Sequence, residues 1–538
     1  MAEATAQVPA GPRRFPLLGI VAVLLGASIS SFFGRLLSVG AADLRGAIHM
    51  DYDTSTWIST CFNMGQMFIG PFSVYLGGLL GTRRVLFAGA VGFTFLSLLM
   101  PFLPYAPALL VTMFLAGLTA GTFYPLTLAF LMRNIDQLYA LWGIMAYAVD
   151  IVVTSHVAHS YHSWMMAQLS WRWIFWTSTV LTVLMVAFIY FGVPEQPLPK
   201  PKPGQKSPSW RGFLYASAGA SLLFGALNQG IHLDWWNSPT FVAMFVAGVF
   251  LLGSALVRHF YLPNPLLNFP FLRRWNTMAL AFVLFFFRFF LLGSLLLVPA
   301  YLGTVRGYSA QEIGPVLLWL AIPQIAAGAL SVWLLKRIDA RVILAAGVVL
   351  IAIGCIRNAA LTSDWAGGTF FTTQLILAVG IAIAFNGMVG AIVLDVTNSG
   401  ILNRGIDLLT FSAFFQVVRL VGGEVGSVYM QHFLHARTVF HAGILGSVPA
   451  ASIEATTRIT GLAAGMLPNA PSPDIAAGRA ATILGLTVGR QAFTMAIADC
   501  FWLIAYAALI CLVVVACIGS LNIQYKHVLA TLRAQRSS

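Results

Sequence analysis

The chain has 538 residues, of which 59% are hydrophobic and only 9% charged, whereas a soluble domain carries about 25% charged residues. Such a surface cannot face water alone, and the formal charge of +13 reads as membrane topology before it reads as a nucleic-acid footprint. Lipid as solvent admits only helices or closed barrels, because every backbone N–H and C=O must be paired within the element. The apolar stretches run about 20 residues without the period-two alternation of a barrel strand, so the fold class is all-α polytopic membrane protein.

The N-terminal MAEATAQVPAGPRRFP has no signal-peptide cleavage site, and Arg13 and Arg14 precede an apolar run expected to stay as an anchor. Spans are expected at 16–40, 55–80, 84–103, 107–131, 138–162 and 173–193. The segment PEQPLPKPKPGQKSPSW then reads as a hydrophilic linker. Spans follow at 211–230, 239–258, 277–302, 311–335, 341–360, 369–394, 406–433 and 493–519, fourteen in all. Residues 435–490 read as a long loop, with turn chemistry at PNAPSPD and Ala/Gly-rich flanks suited to short amphipathic helices. With the N-terminus inside, nineteen of the 30 Lys and Arg fall on the cytoplasmic side, seven outside and four within spans. That asymmetry places both termini in the cytoplasm.

An ionisable side chain inside the membrane costs several kcal/mol unless paired or wetted, so each one is a functional candidate. The acids are Asp150, Glu424 and Asp499; the bases are Arg35, Arg288, Arg357 and Arg419. Asp150, near mid-span, is the first choice for binding a proton or a substrate cation, and a structural ion pair with Arg35 is the alternative. Glu424 lies five residues from Arg419, about 500° around a helix, so the two point to different faces. Glu424 is therefore expected to meet a neighbouring helix, as a packing or a coupling group. Gly422, Gly423 and Gly426 would let that helix come close. Asp499 reads as a helix-end residue or a third coupling candidate.

His156, His159 and His162 form a loose stripe that suits a pH-sensitive gate, a metal site or plain polar lining of the mouth. No carboxylate or thiolate lies beside them in sequence, so no metal is assigned. Phe33, Met113 and Arg288 are candidates for the cavity wall or gate. Many Phe face lipid or pack between helices, and Trp171, Trp173, Trp235, Trp236 and Trp365 suit interfacial belts. The five cysteines have neither metal nor redox spacing and read as small apolar residues. No phosphate loop, enzyme-type ligand cluster or paired nucleophile and base is present, so neither a cofactor nor an enzyme is expected. ATP-driven transport would need a nucleotide domain for which the chain has no room.

Local patterns resemble the fourteen-span drug:proton antiporters of the major facilitator superfamily, the EmrB/QacA-type exporters. They are ADLRGAIHMDYDTSTWI between the first two spans, GGLLGTRRVLFAG after the second and SWRWIFW at the head of the sixth. TFSAFFQVVRLVGGEVG and RQAFTMAIADCFWL lie in the last two. The resemblance implies the major facilitator fold: six-helix bundles over 1–193 and 259–538, a cytoplasmic linker at 194–210 and two inserted helices over 211–258. It implies binding near the bilayer midplane and alternating access by rocking. Arg83 and Arg84 would latch the bundles from the inner loop, with ordinary positive-inside topology as the other reading.

Three places depart from the family. Phe33 stands where an Asp is common, Met113 where an Arg precedes Gly117, and Ala158-His159 with His162-Ser163 replace a Gly-Pro and Gly-Gly signature. These departures weaken the antiport expectation and leave the fold expectation standing. The resulting reading is an inner-membrane exporter of amphipathic small molecules driven by protons. Its partners would be substrate, protons, the lipid bilayer, a periplasmic adaptor and an outer-membrane channel. An organic-anion facilitator or importer of the same fold is the first rival, and a non-transporting receptor or scaffold the second.

Overall fold

The computed structural model describes residues 16–519 except 104, 135–139, 194–209, 262–271, 399–404, 452 and 470–471, together with Tyr525. Among the described residues the chain is helical and has no strand. The linker after the sixth expected span lies outside the described residues.

The first group holds α1 (Pro16–Val39), α2 (Ala41–Ile48), α3 (Tyr52–Leu80), α4 (Thr82–Leu99) and α5 (Ala106–Ala120). It continues with α6 (Phe123–Asn134), α7 (Ala140–Gln168) and α8 (Trp173–Gly192). The corner between α2 and α3 is made by His49 in the left-handed region at φ 58° and by Asp51 as N-cap. Asp51 accepts from the Thr54 N–H at 2.8 Å, and that bond holds its carboxyl below the usual carboxylate range. α1 packs on α6, α7 and α8, while α3 packs on α4, α5 and α6. Where α3 crosses α5 there is no room for a side chain. A Cβ on Gly65 would stand 2.2 Å from the Phe114 carbonyl oxygen, and one on Gly117 2.1 Å from that of Phe62.

Two helices follow, α9 (Trp210–Gln229) and α10 (Pro239–Tyr261). The second group begins with α11 (Trp275–Phe290), a π-helical turn at Gly293–Leu297, α12 (Val298–Val305) and α13 (Ala310–Leu318). α14 (Ala321–Leu335), α15 (Ala340–Asn358) and α16 (Phe371–Asn398) come next. α17 (Gly405–Ala451), α18 (Ile453–Met466) and α19 (Pro473–Ala516) complete it. α15 packs on α16 and α19, and α17 on α11 and α19. The groups meet where α7 lies along α13, α14 and α16, and where α3 lies along α17. α9 packs on α10, α3 and α17, so it touches both groups.

Ten described helical segments are long and apolar enough to cross a bilayer. The other four expected spans, 55–80, 138–162, 211–230 and 406–433, fall on α3, α7, α9 and α17, which carry more polar side chains. The expected loop at 435–490 is corrected. α17 continues through it to Ala451, α18 follows, and α19 already begins at Pro473, where Ser472 accepts from the Ile475 N–H. The cause is local: Ala476, Ala477, Ala480 and Ala481 are the strongest helix formers, and no proline interrupts residues 474–516. A short 3-10 turn at Leu467–Asn469 follows α18.

Candidate substrate and proton site

A cavity of about 250 Å³ lies between the two groups. Its charged lining is Arg35 from α1, Arg288 from α11, and Arg419 and Glu424 from α17. Ser30, Ser31, Asn63, Gln66, Ser155 and Ser427 add polar surface, and Phe224, Leu291, Leu292, Leu295 and Leu420 form an apolar wall. Three guanidinium groups therefore share one carboxylate on the lining of this cavity, among the described residues.

Each cation is held in its own way. The Arg35 Nη2 donates to the Leu295 carbonyl at 2.6 Å, inside the π-helical turn. Such turns depart from the ordinary helical ladder and recur at functional sites. Arg419 sets its Cζ 3.6 Å from the Tyr124 ring centroid and donates from Nε to Gln416 Oε1 at 3.2 Å. Both Arg35–Leu295 and Arg419–Tyr124 join the two groups. Arg288 reaches the cavity because Gly423 leaves it space: a Cβ there would meet the Arg288 Nε at 3.2 Å. Gly422 and Gly426 likewise bring α17 against Phe285 and Phe289 of α11. The Nε atoms of Arg35 and Arg288 are buried without a protein partner. Glu424 Oε1 accepts from Asn228 Nδ2 of α9.

Other predicted residues stand elsewhere. Asp150 is not on the cavity wall and does not pair with Arg35. Its Oδ1 accepts from Ser28 Oγ at 2.5 Å, and its Oδ2 is buried without a partner. Ser28 and Arg35 are seven residues apart on α1, which carries the guanidinium about 10 Å further along. Phe33 is fully buried among Phe62, Phe93 and Phe175, an aromatic core inside the first group instead of a cavity wall. Met113 is also fully buried in α5, one turn before Gly117.

The histidine stripe runs away from the cavity. His156 bonds the Val152 carbonyl through Nδ1 at 2.9 Å, and His162 Nε2 lies 3.3 Å from Asp43 Oδ2 of α2. Among the described residues no group of three metal-ligating side chains is placed to hold an ion. Arg83 Nη2 donates to the Tyr190 carbonyl at 2.8 Å, tying α4 to the end of α8 within one group. Arg84 is exposed.

Asp499 is not a helix-end residue. It lies inside the 44-residue α19, where Oδ2 accepts from Arg437 Nε at 2.6 Å and stands 2.7 Å from His441 Nε2. Both partners belong to the extension of α17, so this cluster clamps the two long helices. Asp499→Asn is expected to cost about 2 kcal/mol, since a charge-assisted hydrogen bond is lost. Thermal unfolding in detergent should show the midpoint about 2–4 °C lower, and an unchanged midpoint would mean that the clamp adds nothing.

Sequence reasoning missed Ser28, Tyr124, Asp43 and Asn228, each of which contacts a predicted residue from another helix. Only Asn228 left a trace, as adjacent Asn and Gln at the end of the apolar run LLFGAL.

The profile described as Major Facilitator Superfamily matches residues 23–427. The chain is similar to the colistin resistance protein EmrB of Acinetobacter baumannii, 22% identical over 399 residues, covering 72% of this chain and 74% of that one. It is similar to the multidrug export protein EmrB of Haemophilus influenzae, 21% identical, covering 80% and 84%. The fatty acid resistance protein FarB of Neisseria gonorrhoeae is 22% identical, covering 65% and 66%. Among solved structures, the proton:xylose symporter XylE superposes with a TM-score of 0.55 at 12% identity, covering 79% of this chain and 90% of that one. The human organic anion transporter TETRAN gives 0.53 at 12% identity, covering 92% and 99%. These likenesses carry the fold, and the family match carries the class. The chain belongs to the Major Facilitator Superfamily and is a multi-pass membrane transporter, not an enzyme.

Proposed function

We propose that the protein exports amphipathic small molecules with an acidic or strongly accepting headgroup, in exchange for protons. The observation that carries this is the cavity lining: three arginines and one glutamate facing an aliphatic wall. Acceptor oxygens of the headgroup meet Arg288 and Arg419, a donor on the substrate meets Glu424, and the apolar portion lies on Leu291, Leu292 and Leu295. A proton on Glu424 then competes with the substrate donor, which is what exchange requires. Export is the direction named in the multidrug relative of Haemophilus influenzae. In this reading 1–193 and 259–538 are the rocking bundles, with the α2 corner at the outer face of an inner membrane and both termini in the cytoplasm. The projecting ends of α17 and α19, with α18, face an adaptor and an outer-membrane channel.

The charge count favours a second reading. A proton on Glu424 leaves three arginines uncompensated, so proton and anion would favour each other, as in a co-transporter or facilitator. Linkage separates the two by sign. In proteoliposomes with radiolabelled anilinonaphthalene sulfonate, exchange predicts a KM that rises as the pH falls, and co-transport one that falls. Arg288→Gln and Arg419→Gln should each raise the KM for this anion about 10–100-fold and leave transport of tetraphenylphosphonium unchanged. If neither substitution moves the anion KM, this cavity is not the anion site.

A further inference from the structure

The last turn of α9 sets two amides side by side, and both are engaged. Asn228 Nδ2 donates to Glu424 Oε1 of α17, and its Oδ1 accepts from Thr60 Oγ1 of α3. Gln229 Nε2 donates to the same Thr60 hydroxyl at 2.5 Å, and its Oε1 accepts from Thr56 Oγ1 at 3.0 Å. Thr60 and Gln229 are fully buried, so an unmade bond here is not replaced by water. A continuous run of side-chain hydrogen bonds thus leads from the cavity acid, through the inserted helix, to the head of α3.

The run has a direction, and the direction depends on Glu424. An ionised carboxylate only accepts, so Asn228 must turn its NH2 toward Glu424 and its oxygen toward Thr60. A protonated carboxyl offers a donor besides its carbonyl acceptor, so Asn228 can then turn its oxygen to Glu424 and its NH2 to Thr60. The Thr60 hydroxyl proton needs another acceptor in that state, and one is in place: the Thr56 carbonyl lies 2.9 Å from Thr60 Oγ1. Thr60 oxygen then accepts from both amides, and no group is left unpaired in either arrangement. Thr56 Oγ1 has a similar choice between Gln229 Oε1 and the Asp53 carbonyl at 2.7 Å.

We propose that Asn228 is a positioning residue for Glu424, and that the inserted helix α9 is thereby part of the coupling machinery. It carries the protonation state of Glu424 through Thr60, Gln229 and Thr56 to the α3–α9 contact. This rests on the reading of Glu424 as the proton-binding acid. The other groups that set its charge balance are Arg288 of α11, Arg35 of α1 and Arg419 of its own helix. The acid of α19, Asp499, is already engaged by Arg437 and His441. α9 meets Glu424 with the Asn228 amide, and α3 lines the same cavity with Asn63 and Gln66.

The test reads protons without a substrate. In the full-length protein in lipid, infrared difference titration isolates the carboxyl band that Glu424→Gln removes. Asn228→Leu should move the midpoint of that band about one pH unit toward alkaline values, because the ionised form loses its donor. The band should also move to higher wavenumber. Asn228→Asp keeps the volume and should split the titration into two coupled steps. A band with the wild-type midpoint and wavenumber in both variants overturns the proposal. If Glu424→Gln removes no titrating band, the reading of Glu424 falls together with it. If the band follows Asn228 while no probe compound moves, only the transport reading fails and the positioning role stands.

Discussion

Glu424→Gln should abolish gradient-driven accumulation, by more than about 100-fold, while downhill movement of the same compound continues. The substitution keeps the volume and a hydrogen-bonding group toward Asn228, but the cavity loses the one carboxyl that lines it among the described residues. Protonation chemistry by a positioned carboxyl contributes about 100-fold or more to a rate that depends on it, which sets the scale of the loss. Asp150→Asn is the informative contrast. Asp150 contacts Ser28, lies off the cavity wall, and its amide replacement keeps that contact. Its accumulation should fall less than about tenfold, below the range of such effects. Proteoliposomes with an imposed pH gradient decide the matter. If Asp150→Asn is the variant that fails and Glu424→Gln still accumulates substrate, the coupling acid is on α7.

Gly117→Leu should leave no monodisperse protein. At this point α5 touches α3 backbone to backbone, and the nearest atoms to a new Cβ are the Phe62 carbonyl oxygen at 2.1 Å and its carbon at 2.9 Å. Neither can rotate away, so an entire helix must move. Overpacking against flexible side chains costs about 1–3 kcal/mol; displacing a packed helix exceeds about 4 kcal/mol and takes most of a domain's stability. Gly78→Leu on α3 is the control, because a Cβ there meets nothing within 4 Å and the residue is exposed. Size-exclusion profiles of both variants in mild detergent give the comparison. A Gly117→Leu peak that matches the control would show that the α3–α5 contact is dispensable.

Helix positions were legible because burial in lipid forces long apolar runs, and Arg35, Arg288, Arg419 and Glu424 because an embedded charge is too costly to be accidental. Which face each residue presents was not legible. Phe33 and Met113 took their cavity assignment from a resemblance and instead sit in packed cores. Asp150 and Arg35 stood close on paper, yet α1 separates them by two turns. Asn228 escaped because an amide costs less in a span than a charge does, and because its partner lies 196 residues away. The continuation of α17 and α19 past the membrane was missed for another reason. Hydropathy marks only the apolar part of a helix, whereas the alanine-rich stretch after Pro473 needs no lipid to stay helical.

That continuation has a mechanical meaning. At a rise of about 1.5 Å per residue, the 47 residues of α17 span about 70 Å, more than twice the hydrocarbon thickness of about 30 Å. Asp499 with Arg437 and His441 ties α17 to α19, so the projecting portion turns as one rod with the membrane portion that carries Glu424 and Arg419. A rotation on the order of 15° at the cavity, the scale of known subunit rotations, sweeps the far end through about 10 Å. The chain thus contains a lever, and whatever grips its tip must either travel with each transport cycle or hold the lever still and stop it.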